Sequence, residues 1–210
     1  RKKMNIGLIG MGYWGPNLLR NLIENKNFKV KYVCDLSKDN LKKINITDKK
    51  IIKTTDIKDL ISDKSVNAVF IATPVNTHFK LAKVCLDANK HVFIEKPLSD
   101  DKKKCDILIK LAKKKSLTLF VDHTFLYTPA VMEIKNISQK RSFGDLIYYD
   151  STRINLGLIQ NDINVLWDLA VHDISILNYL KNEKPTHVSC IGHKYISSKP
   201  ETAAFLTLKY

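Results

Sequence analysis

The sequence predicts an α/β chain in two parts. Residues 1–122 read as a doubly wound, mostly parallel sheet. Residues 123–210 read as an α+β unit built on a mostly antiparallel or mixed sheet. Two observations predict this. In the first part, short apolar runs alternate with helical patterns over short connections, the order that right-handed crossovers turn into a parallel sheet. In the second, one strong helical pattern is followed by two strand-like runs in succession, as antiparallel strands require.

Each element has its own signal. The apolar run Met4–Ile9 reads as a strand, and Leu18, Leu19, Leu22 and Ile23 give the helical spacing that follows it. Val30–Cys34 is a second strand, Lys50–Lys53 a short one, and Asp56–Ile61 a short helix with Asp56 near its cap. Asn67–Ala72 is a buried strand stopped by Pro74. Thr77–Leu86 has helical spacing, and His91–Ile94 is the next strand. A helix carrying Ile107, Leu108, Leu111 and Ala112 leads to a last strand, Leu117–Val121. Beyond it, Pro129–Ile137 reads as a helix, Asp145–Asn155 as one long strand and Leu166–Leu180 as a helix. His187–Tyr195 and Thr202–Tyr210 read as two further strands. The chain opens on Arg1 and stops inside its last strand-like run, so it is expected to be a piece of a longer protein.

Composition narrows the function class. With 210 residues, 44% of them hydrophobic, the chain can build one complete domain and part of another. No apolar run is long enough to span a bilayer, and no signal peptide opens the chain. Cys34, Cys85, Cys105 and Cys190 are scattered without metal-type pairing, so neither a metal site nor a structural disulfide is expected. Cys34 and Cys85 read as small core residues in a reduced cytoplasm. The net charge of +14 invites a nucleic-acid partner, but only Arg1, Arg20, Arg141 and Arg153 among 35 basic residues are arginine. Arginine is the usual bidentate reader of phosphate and guanine, and the lysines cluster where helices face solvent, so no specific nucleic-acid partner is expected.

The chemistry begins at Gly10-x-Gly12-x-x-Gly15, which lies between the first strand and the first helix and is answered by Asp35 after the second strand. Each part has a physical task in holding a dinucleotide. Gly10 permits the tight turn, Gly12 lets the backbone approach a pyrophosphate, and Gly15 lets the helix sit close on the strand. The helix start offers N–H groups and a positive dipole end to the phosphates. Tyr13 and Trp14 lie inside this loop and are counted with it. Asp35 would accept hydrogen bonds from ribose hydroxyls and repel a 2′-phosphate, which favours NAD over NADP.

Three further clusters stand out. Thr73 and Pro74 end a strand on the ligand side of such a sheet and would border the cofactor together with His78. The alternative is an ordinary strand stop with Thr77 capping the next helix and His78 in the core. Glu95-Lys96-Pro97 follows the strand at His91–Ile94, where a lysine ammonium could stabilise a developing alkoxide or carbonyl oxygen. The alternative is a rim ion pair between Glu95 and Lys96. Asp168 and His172 are spaced i and i+4 on one helix face, where a carboxylate fixes an imidazole tautomer and prepares it to accept a proton. The alternative is Asp168 as a cap with His172 satisfied locally.

Taken together, Gly10-x-Gly12-x-x-Gly15, Asp35, Ala72-Thr73-Pro74, Glu95-Lys96-Pro97 and Asp168-x-x-x-His172 resemble the glucose–fructose oxidoreductase/inositol dehydrogenase (Gfo/Idh/MocA) family. The resemblance implies an N-terminal Rossmann domain and a C-terminal α/β domain whose open sheet covers the nicotinamide. It implies Lys96 as the active-site lysine and Asp168 and His172 as the Asp–His pair, converging on one substrate carbon. It also implies Glu95 and Lys96 beside the cofactor, and a homo-oligomer, dimer or tetramer, for the full-length protein. Ala170 stands where many relatives carry glycine.

A narrower likeness lies in Gly12-Tyr13-Trp14-Gly15-Pro16-Asn17-Leu18, His123-Thr124-Phe125-Leu126-Tyr127 and Arg153-Ile154-Asn155-Leu156-Gly157. These look like the nucleotide-sugar branch, which includes 3-dehydrogenases acting on UDP-N-acetylglucosaminuronic acid in surface-polysaccharide pathways. Arg153 and Asn155 would hold a carboxylate or sugar hydroxyls. The expectation is an NAD-dependent sugar dehydrogenase. The alternatives are a cyclitol or free-sugar dehydrogenase and a catalytically silent NAD-binding sensor.

Overall fold

Burial of two apolar sheet faces organises the first compact unit, Arg1–Asp122. The structure, a computed structural model, describes residues 3–44, 50–155, 163–196 and 200–210. Six strands, β1 (Met4–Ile9), β2 (Phe28–Cys34), β3 (Ile52–Thr54), β4 (Ala68–Ile71), β5 (His91–Glu95) and β6 (Leu119–Asp122), pair in parallel in the order β3-β2-β1-β4-β5-β6. Every residue of β4 is buried, as a central parallel strand covered on both faces must be. Helices α1 (Gly15–Glu24) and α2 (Lys38–Lys42) place Leu19, Leu22 and Leu41 against Ile6, Leu8, Val30, Val33 and Phe70. Helices α3 (Ile57–Ser62), α4 (Val75–Asp87) and α5 (Lys102–Lys114) place Leu60, Leu86 and Leu108 against Val69, Ile71, Val92 and Ile94 on the other face. Each such leucine contributes roughly 1.5–3 kcal/mol by burial.

The helix starts follow from local chemistry. Pro16 occupies the first turn of α1, where no backbone N–H is needed. Asp56 caps α3 by accepting from Lys58 N at 2.9 Å, and Asp101 caps α5 by accepting from Lys103 N at 2.7 Å. Thr77 does not cap a helix. Helix α4 begins two residues earlier, and Thr77 sits in its first turn with its hydroxyl donating to Pro74 O at 2.7 Å. The chain reverses direction across the sheet between β1 and β4; the carboxyl ends flanking that switch point carry the glycine loop and Thr73, and the next strand, β5, carries Lys96.

The second unit, His123–Tyr210, is α+β. Helix α6 (Pro129–Ser138) precedes a π-helical turn at Leu166–Ala170 that runs into α7 (Val171–Lys181). Strands β7 (His187–His193) and β8 (Ala203–Lys209) then pair antiparallel, with His187 opposite Lys209. Two expectations are corrected. Residues 145–155 pair with no strand among the described residues, and Ile147 is 94% exposed. The single helix expected over Leu166–Leu180 opens instead with the wider π turn. Leu156 and Gly157 lie outside the described residues. Among the described residues, no helix is long and apolar enough to cross a membrane.

Candidate functional site

The glycine loop is built as its spacing requires. Gly10 has φ +97°, a left-handed conformation, and a Cβ there would stand 2.4 Å from the Ala72 carbonyl oxygen. At Gly15 a Cβ would stand 2.1 Å from the Gly10 carbonyl oxygen, so the helix starts in direct contact with the turn. Gly12 differs from both, because a Cβ there would meet nothing within 4 Å. That open, exposed backbone, next to the start of α1, leaves room for a pyrophosphate. Tyr13 and Trp14 are exposed beside it, their rings 6.4 Å apart.

Asp35 ties the loop to β2. Its Oδ2 accepts from Met11 N at 2.6 Å, and its Oδ1 accepts from Ser37 N at 2.8 Å and Asn40 Nδ2 at 3.3 Å. A carboxylate has about four acceptor positions, so room remains for a ribose hydroxyl. The residues therefore fit a dinucleotide, whose pyrophosphate Gly10, Gly12, Tyr13, Trp14 and Gly15 would surround and whose adenosine ribose Asp35 would meet.

The ends of β4 and β5 are joined by His78. This histidine is 0% exposed, and its Nδ1 and Nε2 each lie 2.8 Å from a carbonyl oxygen, that of Pro97 and that of Thr73. Both ring nitrogens are thus engaged inside the protein. His78 is a buried tie between two strand-end loops, the core placement that the sequence offered as the alternative to a cofactor contact. Burial pulls its pKa below the ordinary histidine value, against the two carbonyl contacts, which raise it. Thr73, whose hydroxyl is 2.7 Å from that of Thr77, and exposed Pro74 follow directly on the end of β4.

Lys96 is half-buried directly after β5, and the next residue, Pro97, is buried and held by His78. Glu95, the last residue of β5, stands opposite Asp122, the last of β6. Burial first, and then the Asp122 carboxylate, push the Glu95 pKa up to about 8, while Lys96 opposes the shift. Asp122 is raised as well, by burial. Sequence reading used Asp122 only as a boundary. The signal available was that two neighbouring strands each end in an acid.

In the second unit His172 is buried on α7, with the Phe125 ring edge-on at 4.7 Å. Asp168 precedes it by four residues within the π turn, so the pair straddles the junction of π and α geometry. Such junctions recur at functional sites. Arg153 is bound by Asp173 at 2.7 Å through Nε and 3.1 Å through Nη2, and its guanidinium lies 4.4 Å from the centre of the Phe125 ring. Burial raises the Asp173 pKa, but the Arg153 and Ser151 hydrogen bonds outweigh it and hold the carboxyl below its usual range. Arg153 therefore reaches a substrate only with its remaining N–H groups. Asn155 is exposed. A cavity of about 210 Å³, lined in part by Tyr149, Ser151, Arg153, Asp173, Leu177 and Leu206, opens beside the pair.

Known proteins share the sequence pattern and the fold of this chain. The family profile described as an oxidoreductase family with an NAD-binding Rossmann fold matches residues 4–123. The UDP-N-acetylglucosamine 3-dehydrogenase of Acidithiobacillus ferrooxidans is 32% identical over 145 residues, 68% of this chain and 45% of that protein. The myo-inositol 2-dehydrogenase of Thermotoga maritima is 28% identical over 196 residues, 90% of this chain and 58% of that protein. An NAD-binding protein from Listeria innocua shares the fold, with a TM-score of 0.87 at 22% identity over 99% of this chain and 64% of its own. The chain spans about half the length of the curated relatives it matches. The matched profile covers more than half of the chain, and on that ground the chain belongs to the Gfo/Idh/MocA oxidoreductase family.

Proposed function

We propose that this chain carries the cofactor-binding half and part of the substrate-binding half of an NAD-dependent dehydrogenase acting on a secondary alcohol of a sugar ring. The observation that carries the reading is the glycine loop: Gly12 open to a ligand, Gly10 and Gly15 locked in place, and Asp35 bonded to the same loop. NAD supplies the hydride acceptor. Asp35 selects it over NADP by meeting the ribose with a carboxylate.

The remaining roles fall to the polar residues described above. Lys96 donates to the substrate oxygen and stabilises its negative charge as the carbon–hydrogen bond breaks. His172 takes the hydroxyl proton, and Asp168 fixes the histidine tautomer. The substrate we favour is a nucleotide-linked sugar of the UDP-N-acetylglucosaminuronate kind, used in surface-polysaccharide synthesis. The 32% identity to a UDP-N-acetylglucosamine 3-dehydrogenase supports it, and Arg153 and Asn155 would meet its acidic or hydroxyl groups. The 28% identity to an inositol dehydrogenase over more of the chain supports a second reading, a cyclitol or free-sugar enzyme. A homo-oligomer belongs to the same proposal.

A thermal-shift series with NADH and NADPH, each combined with UDP-sugars, uronic acids and cyclitols, tests it. NADH is expected to raise the melting temperature more than NADPH, and a UDP-linked sugar to raise it further. A further rise with cyclitols alone would favour the second reading. No rise with either dinucleotide would remove the proposal. With a turnover assay in hand, Lys96→Ala is expected to retain NADH binding and lose roughly 10²–10³-fold in kcat.

A further inference from the structure

Two carboxyl groups stand side by side where β5 and β6 end. Glu95 and Asp122 are direct partners in the parallel register, and neighbouring strands lie about 4.8 Å apart. Strand alternation puts Glu95 on the face that carries Phe93, and Asp122 on the face that carries Phe120. Phe93 stacks on Phe120 at 5.3 Å and on Phe70 at 4.4 Å, so an apolar aromatic row lies one pleat before the acids. Asp122 is 6% exposed, and Oε1 of Glu95 is buried and accepts no hydrogen bond among the described residues.

Two ionised carboxylates so close in so apolar a place repel each other, and the pair relieves this by keeping one proton between them. The register pairing and the burial of both acids place them for such sharing. The charges bearing on Glu95 are Asp122 on β6 and Lys96, the next residue. On the α4 side, His78 is tied to two carbonyls, and burial favours its neutral form. His123 follows Asp122. With one proton on the pair, its single negative charge balances the Lys96 ammonium. When that proton leaves, the cluster becomes net negative.

We propose that Glu95 and Asp122 form a one-proton carboxyl pair whose charge state sets the preference of the cofactor site for oxidised over reduced nicotinamide. This rests on the dinucleotide reading above. In a doubly wound sheet the adenosine half lies on the β2 side of the switch point, where Asp35 stands. The nicotinamide half would lie on the other side, over the ends of β4 and β5. The oxidised ring carries a positive charge and the reduced ring carries none. Loss of the shared proton therefore strengthens binding of NAD⁺ and leaves NADH nearly unchanged. A unit charge acting over about 10 Å at an effective dielectric of about 20 changes affinity roughly tenfold or somewhat more.

The test is to titrate the whole chain with NAD⁺ and with NADH at about pH 6.5 and about pH 9, on either side of the Glu95 transition. In the unmodified chain the affinity ratio is expected to move roughly tenfold toward NAD⁺ at the higher pH. Glu95→Gln is expected to flatten that change, and Asp122→Asn to move its midpoint to lower pH. A merely structural role would weaken both dinucleotides together and leave the ratio alone. Should either neutral isostere fold poorly, the unmodified chain gives a second readout by infrared spectroscopy, a protonated carboxyl band at neutral pH that disappears on alkalinisation. Binding of both dinucleotides with a pH-independent ratio would overturn the carboxyl-pair proposal and leave the cofactor reading standing. Binding of neither would overturn both.

Discussion

The Asp35 carboxylate accepts a 2.6 Å hydrogen bond from the Met11 amide, so the acid placed to meet a ribose also holds the loop placed to meet the phosphates. The same carboxylate takes the Ser37 amide at 2.8 Å, which shapes the turn into α2. Cofactor selection and loop geometry therefore share one side chain.

Replacing that side chain should disturb both. Asp35→Asn keeps an oxygen for Met11 but loses the charge and one acceptor for Ser37. A hydrogen bond to a charged group is worth about 1.5–3 kcal/mol, so NADH affinity should fall at least about tenfold. NADPH affinity should fall less, because repulsion of the 2′-phosphate disappears with the charge. Parallel fluorescence titrations with the two reduced dinucleotides measure the ratio. If it stays unchanged, Asp35 is not the selector.

Gly12 and Gly10 should separate binding from folding. At Gly12 an alanine methyl enters open space, so Gly12→Ala should leave the melting temperature within about 2 °C of the parent while NADH binding weakens severalfold. At Gly10 the methyl would strike the Ala72 carbonyl at a φ of +97°. Gly10→Ala should therefore cost about 2–4 kcal/mol of stability, the size of a core clash combined with backbone strain. Urea denaturation of the two variants checks the contrast, and equal stability losses would contradict it.

What the sequence made legible follows from which interactions are local. The glycine loop, α1 and β2 could be read because the turn, the helix start and the buried strands each constrain nearby residues. Residues 145–155 read as a strand because Ile147, Tyr149 and their neighbours suit a pleated surface. A strand exists only through its partners, though, and the described residues supply none for that stretch. His78, the Glu95–Asp122 pair and the Arg153–Asp173 pair depend on residues 19 to 27 positions apart meeting in space, and spacing along the chain does not encode that. Asp173 carries no signal of its own in the sequence, although it fixes Arg153, the arginine expected to reach substrate.

Acid should loosen the tie at His78. Burial depresses its folded pKa, so the unfolded chain binds more protons below the ordinary histidine value of about 6.5. The stability tied to neutral His78 is fully present above about pH 6.5 and is lost as pH falls toward the folded pKa, by at most about 1.4 kcal/mol per pH unit. Glu95 and Asp122 work in the opposite sense, because their raised pKa values stabilise the fold as pH falls. The comparison with His78→Gln removes that background. Urea midpoints at about pH 7 and about pH 5.5 should show a larger acid loss in the parent than in the variant, and equal losses would remove the histidine from the pH response.

Arg153 should matter first to the second unit's own stability. Its side chain is 24% exposed and that of Asp173 19%, so the pair is sheltered enough to exceed a surface ion pair yet not fully buried. Two hydrogen bonds, the Ser151 hydroxyl on the same carboxylate and the Phe125 ring over the guanidinium make it a small network. Arg153→Lys cannot reproduce the two-nitrogen grip and should cost about 1–2 kcal/mol, and Asp173→Asn a similar amount. A double-mutant cycle should return a coupling of about 1 kcal/mol, since each single change already breaks what they share. If the costs simply add, the pair is incidental, and Arg153 becomes available to a substrate carboxylate after all.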